Sequence, residues 1–259
     1  MRDADYLHIM KQFLKRSGLV VGLVRALRAG VLDLKQFYWR AIRGGKIRAY
    51  FAAQPVRKLQ IGTSRNVLPG WLNTDFILER PEVVFLDATR RFPFPDNVFD
   101  YVTSEHMIEH IDYGGAEVML SECFRVLKPG GKIRVSTPDL RVLVALCAPE
   151  KSADQITYID FVAQRSLPGV KDCKAVFVIN NAFRAWGHQF LYDPETLRHL
   201  LGRCQFENIQ DSRPGSSSDE HLRGLEAHGK TINNEAINQF ETFTLEARVP
   251  AVKPAAPAV

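Results

Sequence analysis

FDYVTSEHMIEHIDYGGAEVMLSECFRVLKPGGKIRVSTP, from Phe99 to Pro138, is the stretch whose reading decides the fold. It opens with a short β-rich run, FDYVTS, and closes with another, KIRVSTP, each with an apolar centre. Between them an amphipathic stretch from Gly115 to Val126 places Val118, Met119, Cys123 and Val126 on one helical face, and Lys128 to Gly131 closes it with a turn. Strand, helix, strand in succession predicts a parallel sheet with helices packed on its faces. Further candidate strands lie upstream at KLQIG (Lys58 to Gly62), WLNTD (Trp71 to Asp75) and EVVFLD (Glu82 to Asp87). Downstream, FENIQDS (Phe206 to Ser212) and FETFTLEARV (Phe240 to Val249) read as an antiparallel pair at the sheet edge. A helix is expected from Asp193, as N-cap, with Pro194 at the first helical position, to about Cys204. The fold class is α/β, a doubly wound and mostly parallel sheet.

The rest of the chain sets the boundaries of this domain. The 259 residues are 46% hydrophobic and 24% charged, the composition of an ordinary globular chain of one or two domains. Leu19 to Val24 is the longest apolar stretch near the N-terminus, far short of the roughly 20 residues that cross a bilayer. Asp3 and Asp5 stand where a secretory signal carries positive charge, so a cytoplasmic location is expected. Cys123, Cys147, Cys173 and Cys204 form no CxxC pair, which excludes a disulfide framework and a structural zinc site of that kind. Charge is uneven: residues 1 to 58 hold 13 Lys and Arg against 3 acids, while the remainder is net −5. The first fifty residues carry apolar side chains at three- and four-residue steps, and Pro55 ends that texture. A basic helical extension over 1–54 is therefore expected. It reads either as a helical cap with a solvated face or as a docking surface for an acidic substrate, nucleic acid or membrane headgroups. The main domain is expected over 55–248, with a helical lid over about 140–192, and the Pro/Ala tail 249–259 reads as disordered.

In an open parallel sheet a ligand sits beyond the carboxyl ends of the strands, where the strand order reverses. Gly62-Thr63-Ser64 follows the first candidate strand, a glycine turn that lets backbone amides approach a ligand. The second strand ends at Asp75, able to accept both hydroxyls of a ribose, and the third at Asp87-Ala88, an acid able to accept an adenine amine. Two carboxylates and a glycine turn suit an adenosine without phosphates, and no GxxxxGK[ST] loop is present.

The runs KLQIGTSRNVLPGWLNTDF, LDATRRFPFPDNVFDYVTSEHMIEHI and ECFRVLKPGGKIRVSTPDL resemble class I S-adenosylmethionine-dependent methyltransferases, in the broad subgroup related to the ubiquinone-pathway enzymes. More loosely, WGHQFLYDPETL (Trp186 to Leu197), SSSDEHLRGLEAHG (Ser216 to Gly229) and ETFTLEA resemble bacterial methyltransferases found among surface-polysaccharide genes. The resemblance implies a Rossmann-like sheet of seven strands with the last antiparallel, S-adenosyl-L-methionine as cofactor, and a methyltransferase (EC 2.1.1.-) that O-methylates a sugar, glycan precursor or other small molecule. It implies a cofactor site of Gln60, Gly62, Thr63, Ser64, Asp75, Asp87 and Ala88, with Ser104 and Glu105 facing the methionine end. Two positions depart from the family loop: Gln60 replaces its acid and Ser64 its second glycine. Only twelve residues separate Gly62 from Asp75, so the first crossover is expected to be a loop with little helix.

Transfer to a hydroxyl needs a base to take its proton, and His106 and His188 are the candidates. His110 reads as orienting the following helix. No metal is expected, and nucleic acid is not the expected acceptor. The alternative is that His106, Glu109 and His110, three and four apart, converge from one helical face on a divalent ion. His106 to His110 also satisfies H-x-x-E-H, so a zinc hydrolase is the remote alternative, and a catalytically degenerate cofactor-binding scaffold the nearer one.

Overall fold

The computed structural model describes residues 18–253. The chain divides after Ala49 into two compact units. The first holds most of α1 (Gly18–Ala53), a single helix uninterrupted by proline. The first 17 residues of the expected extension lie outside the described residues. The last turn of α1 belongs to the second unit, a few residues before the break expected at Pro55, because its aromatic side chains are tied to the sheet. The Tyr50 hydroxyl donates to the Lys58 carbonyl at 2.9 Å and accepts from the Lys58 amide at 2.7 Å. Phe51 meets Phe94 and Phe99 edge-on.

The second unit is built on seven strands: β1 (Lys58–Ile61), β2 (Leu72–Asp75), β3 (Val84–Phe85), β4 (Phe99–Glu105), β5 (Leu127–Pro138), β6 (Glu207–Ser212) and β7 (Thr242–Arg248). Their order is β3-β2-β1-β4-β5-β7-β6. The pairs from β3 to β5 are parallel, while β7 runs antiparallel between β5 and β6, so the expected edge pair is present with β6 outermost. Leu59, Val102 and Ile133 on the central strands are fully or almost fully buried, as a sheet covered on both faces requires. No helix lies between β1 and β2, in agreement with the short Gly62-to-Asp75 spacing.

Helix α2 (Tyr113–Val126) joins β4 to β5 and starts two residues earlier than the amphipathic pattern indicates. Asp112 caps it, its carboxylate accepting from the Gly115 amide at 2.6 Å. The Lys128–Gly131 turn becomes the start of β5. Beyond β5, α3 (Leu140–Ala145), α4 (Ala153–Ser166) and α5 (Ala175–Arg184) form the region expected as a lid, followed by α6 (Pro194–Arg203), capped by Asp193 as expected. Two short helices, α7 (His228–Ile232) and α8 (Glu235–Glu241), precede β7. Leu143, Tyr158, Val162 and Val178 pack with Ile232 and Ile237 in a core of their own, so this helical layer is closed by residues nearly a hundred positions apart in the chain.

One charge lies inside the sheet. Arg134 on β5 is fully buried, and its guanidinium bonds Glu226, Glu246, the Ser212 hydroxyl and the carbonyls of Arg213 and Ser216. Buried charge is tolerated when paired in this way, and the pairing ties the segment before α7 to the sheet. At the far end, Val249 is buried and exchanges backbone hydrogen bonds with Gly130 and Gly131, so the residues directly after β7 are held. The rest of the expected tail, 254–259, lies outside the described residues.

Candidate active site

The strand order reverses between β1 and β4, and a cleft of about 510 Å³ opens beyond their carboxyl ends. Gln60, Gly62, Thr63, Ser64 and Asn66 supply one wall. Glu105, His106, Glu109 and His110 supply the next, and Arg165, Trp186, His188, His228 and Glu241 face them from the helical layer. A roomier groove of about 710 Å³, lined by Asp139, Arg141 and Arg213 among others, contains no histidine and none of the residues expected at the site.

The loop after β1 is fixed by its own backbone. The amides of Gly62 and Thr63 both donate to the Thr74 carbonyl at 3.0 Å. Gly62 has φ +76°, and a Cβ there would come within 2.6 Å of the Met107 Cβ, so no other residue fits. Ser64 follows at φ +46°, a left-handed conformation costly for a side chain, and its amide donates to Asp75 Oδ2 at 2.7 Å. Asp75 Oδ1 accepts from the Ile77 amide at 3.0 Å. Gln60 donates through Nε2 to the Asn66 carbonyl at 2.9 Å, an arrangement open to an amide and closed to the acid of the family loop. Its Oε1 and the Thr63 hydroxyl are buried without a hydrogen-bond partner.

Asp87 stands apart. Its carboxylate accepts from the Thr89 amide and hydroxyl at 3.1 and 2.7 Å and lies 3.0 Å from Arg90 Nε. Asp75, Asp87, Ala88 and Ser104 are outside the cleft lining, whereas Gln60, Gly62, Thr63, Ser64, Glu105, His106 and His188 are brought together in it. Ser104 is buried with an unpartnered hydroxyl. Glu105 braces a distant segment: its carboxylate accepts from the Ala227 amide at 2.8 and 3.0 Å and from the His228 amide at 2.7 Å, holding the start of α7 over the cleft.

Four histidines converge here. His106 sits at φ +45°, directly after β4, so the HMIEH run is no continuous α-helix; only a single 3₁₀ turn, Ile108–His110, follows. The H-x-x-E-H pattern therefore lacks the helical face that a zinc peptidase uses. Nε2 of His106 is hydrogen-bonded with the Thr242 hydroxyl at 2.9 Å, while Nδ1 lies 3.4 Å from Glu109 Oε1, a charge contact without a hydrogen bond. The ring stacks on His228 with centroids 3.8 Å apart. Burial works against the His106 cation, but the carboxylates of Glu109, Glu241 and Glu105 outweigh it and raise the pKa. Burial likewise opposes the charge of Glu109, and His106 and His110 reverse that effect and lower its pKa. Glu109 is fully buried, with Oε2 accepting from the Thr137 hydroxyl at 2.9 Å.

His188 is arranged differently. Its Nδ1 lies 2.7 Å from the Ala182 carbonyl, which can only accept, so Nδ1 carries the hydrogen and Nε2 keeps its lone pair. Burial lowers its pKa, and the neighbouring His110 and His106 act in the same direction. The ring meets His110 at 4.9 Å and Trp186 at 5.6 Å. Glu109, His110 and His188 each present one atom within 4.8 Å of the others, a spacing that a metal ion can bridge. His188 thus takes the place that the sequence spacing assigned to His106, because the turn at His106 swings that ring towards His228 and Thr242.

Residues 50–135 match the family described as Methyltransferase domain. Over those residues the chain matches a methyltransferase domain. The matched span covers β1 to β4 and most of β5, and so includes both strands that flank the switch-point crevice. The ubiquinone/menaquinone biosynthesis C-methyltransferase of Serratia proteamaculans (strain 568) is 30% identical to it over 117 residues, 45% of this chain and 42% of the relative. Its counterpart in Yersinia pestis (strain Pestoides F) matches with the same identity and coverage. The chain thus spans 42% of the length of these curated relatives. Among solved structures, a SAM-dependent methyltransferase from Archaeoglobus fulgidus is 16% identical with a TM-score of 0.44, over 84% of this chain and 94% of that one. Phosphoethanolamine N-methyltransferase 2 of Haemonchus contortus, in complex with S-adenosyl-L-methionine, is 18% identical with a TM-score of 0.41, over 76% and 49% of the two chains.

The site residues missing from the sequence reading are His228, Glu241, Thr242 and Asn66. The first three lie more than 120 positions from His106, and no local pattern marks them as site residues, although the segments that carry them, SSSDEHLRGLEAHG and ETFTLEA, stood out for their resemblance to other chains. Asn66 is the end of the glycine loop and was legible as part of it.

Proposed function

We propose that this chain transfers the methyl group of S-adenosyl-L-methionine to a hydroxyl acceptor, with His188 as the base and a sugar or glycan precursor as the acceptor class. The observation that carries this reading is the unshared lone pair of His188 Nε2 in a cleft at the switch point of a methyltransferase domain. The lining suits the cofactor: the strained Gly62–Ser64 turn and the unpartnered Gln60 and Thr63 oxygens offer a curved polar cradle, and Asp75 holds that turn. A carboxylate has about four lone-pair sites, so the amide contacts of Asp75 and Asp87 leave room for ribose hydroxyls and an adenine amine.

When bound, S-adenosyl-L-methionine supplies an already activated methyl group. The chain's own residues then position the acceptor and take its proton. His188 receives the hydroxyl proton on Nε2, and the Ala182 carbonyl holds the Nδ1–H of the resulting imidazolium. Glu109 lies close enough to favour that charge. His106, with Nε2 held by Thr242, Nδ1 against the Glu109 carboxylate and its ring stacked, is a positioning residue that joins Glu109 to His228. Trp186, 55% exposed beside His188, offers an apolar ring face of the kind that pyranose C–H groups pack against. The acceptor is part of the proposal, since the curated relatives act on carbon.

A screen of sugar nucleotides, lipid-linked glycans, quinone precursors and RNA for transfer of labelled methyl tests it. Transfer to a sugar hydroxyl is the expected result. Transfer to a quinone-precursor carbon would place the chain with its C-methylating relatives. Cofactor binding with transfer to no acceptor would leave the degenerate scaffold.

A further inference from the structure

We propose that the N-terminal helix α1 docks the protein on an anionic lipid surface, lying in the plane of the headgroups. Leu23, Leu27, Val31, Leu34 and Tyr38 follow one another at steps of four, four, three and four residues, so they share one helical face, and Phe37 widens it. All six are exposed, Leu34 at 72% and Phe37 at 75%. A contiguous apolar stripe of this kind marks an interaction site, since a soluble surface scatters such side chains singly.

Charge selects the occupant. Gly18–Ala53 carries seven Lys and Arg against a single acid, Asp33, a net of +6. A second copy of the same helix would bring +6 against +6, and the repulsion opposes pairing through the stripe. Nucleic acid would satisfy the charge but leave six large apolar side chains in water. An anionic bilayer satisfies both, taking the apolar stripe below the headgroups and the basic side chains among them. Long basic side chains such as Arg25 and Lys35, both exposed, reach the phosphates while their stems cover apolar surface. No helix among the described residues is long and apolar enough to cross a membrane, so α1 rests on the surface. This inference is independent of the methyl-transfer chemistry.

Co-sedimentation of the full chain with vesicles tests it. Phosphatidylcholine vesicles with about one-third phosphatidylglycerol should retain the protein, and pure phosphatidylcholine should bind it about tenfold or more weakly. High salt should weaken the retention, because the attraction is screened beyond about 8 Å at physiological ionic strength and beyond about 3 Å at 1 M. The double variant Leu34→Glu/Phe37→Glu should lose binding about tenfold or more while keeping the wild-type affinity for S-adenosyl-L-methionine or, if none is measurable, the wild-type circular dichroism. Equal retention on neutral and anionic vesicles, no retention on either, or unchanged binding by the double variant would each overturn the proposal. So would sedimentation equilibrium showing a dimer that the double variant dissociates, or tight binding of a short RNA that the double variant retains in full.

Discussion

The wall of the cleft that follows β1 is made by one run of residues, Gln60 to Asn66, whereas the facing wall draws on six separate segments of the chain. In the first wall the contacts are short in sequence: Ser64 to Asp75, Gln60 to Asn66, and the Gly62 and Thr63 amides to Thr74. In the second they are long: Glu105 to Ala227, and His106 to Thr242 with the His106 ring stacked on His228. Backbone conformation fixes the one, and side chains bridging separate elements fix the other. A cofactor common to many enzymes suits a wall set by local geometry, while an acceptor particular to one enzyme suits a wall whose parts come from several segments.

The largest test of this contrast lies in the second wall. His188→Ala should lower methyl transfer about a hundredfold or more, the usual contribution of a positioned base, with cofactor affinity within about twofold of wild type. Single-turnover kinetics beside isothermal titration separates the two quantities. Full activity would return the role of base to His106 and dissolve the distinction drawn between the two rings.

The matching test of the first wall is Asp75→Ala, at the residue that holds its Ser64 amide. Loss of its charge-assisted contacts, each about 1.5 to 3 kcal/mol, should weaken S-adenosyl-L-methionine binding about tenfold or more while the maximal rate changes less. Because Asp75 also anchors Ser64, Asp75→Asn should recover part of the loss by keeping one acceptor oxygen. Unchanged binding in Asp75→Ala would remove it from the cofactor site.

The pH profile sharpens the assignment within the second wall. A base works in its neutral form, and the pKa of His188 is lowered by burial, so His188 stays competent into mildly acidic solution. The acid limb of kcat/KM should therefore fall below pH ~6.5, with about a tenfold loss per pH unit beneath it. His106, whose pKa is raised, would put that limb above ~6.5. A limb in the higher range would identify His106 as the base.

The smallest expected effect is none. Glu109, His110 and His188 can approach one ion, but the proposed chemistry uses His188 as a free base, and a base bound to metal has no lone pair to offer. Methyl transfer should persist in EDTA, within about twofold of the untreated rate, with atomic absorption confirming the absence of transition metal. Activity lost in EDTA and restored by manganese or zinc would make the three residues ligands.

The sheet was legible because each strand is short, apolar at its centre and bounded by turn residues, so alternation with α2 leaves few arrangements open. For the same reason the first wall was legible: Gly62 and Ser64 follow the end of β1, Asp75, which holds Ser64, ends β2, and position along a strand can be read directly. The spacing of His106, Glu109 and His110 misled, since it assumes a helix that the left-handed turn at His106 prevents.

By itself, then, the sequence determined the parallel sheet, the place of the crevice at the ends of β1 and β4, and the basic character of α1, all set by local pattern and charge. Only the tertiary structure decided how the rings of His106 and His188 are held. That depends on the Ala182 carbonyl reaching His188 and on Thr242, Glu109 and His228 surrounding His106, and Thr242 and His228 come from elements distant in the chain. It also decided that the apolar positions of α1 are exposed. Periodicity states that a helix has an apolar face, and the exposure of each side chain on it is read from the structure.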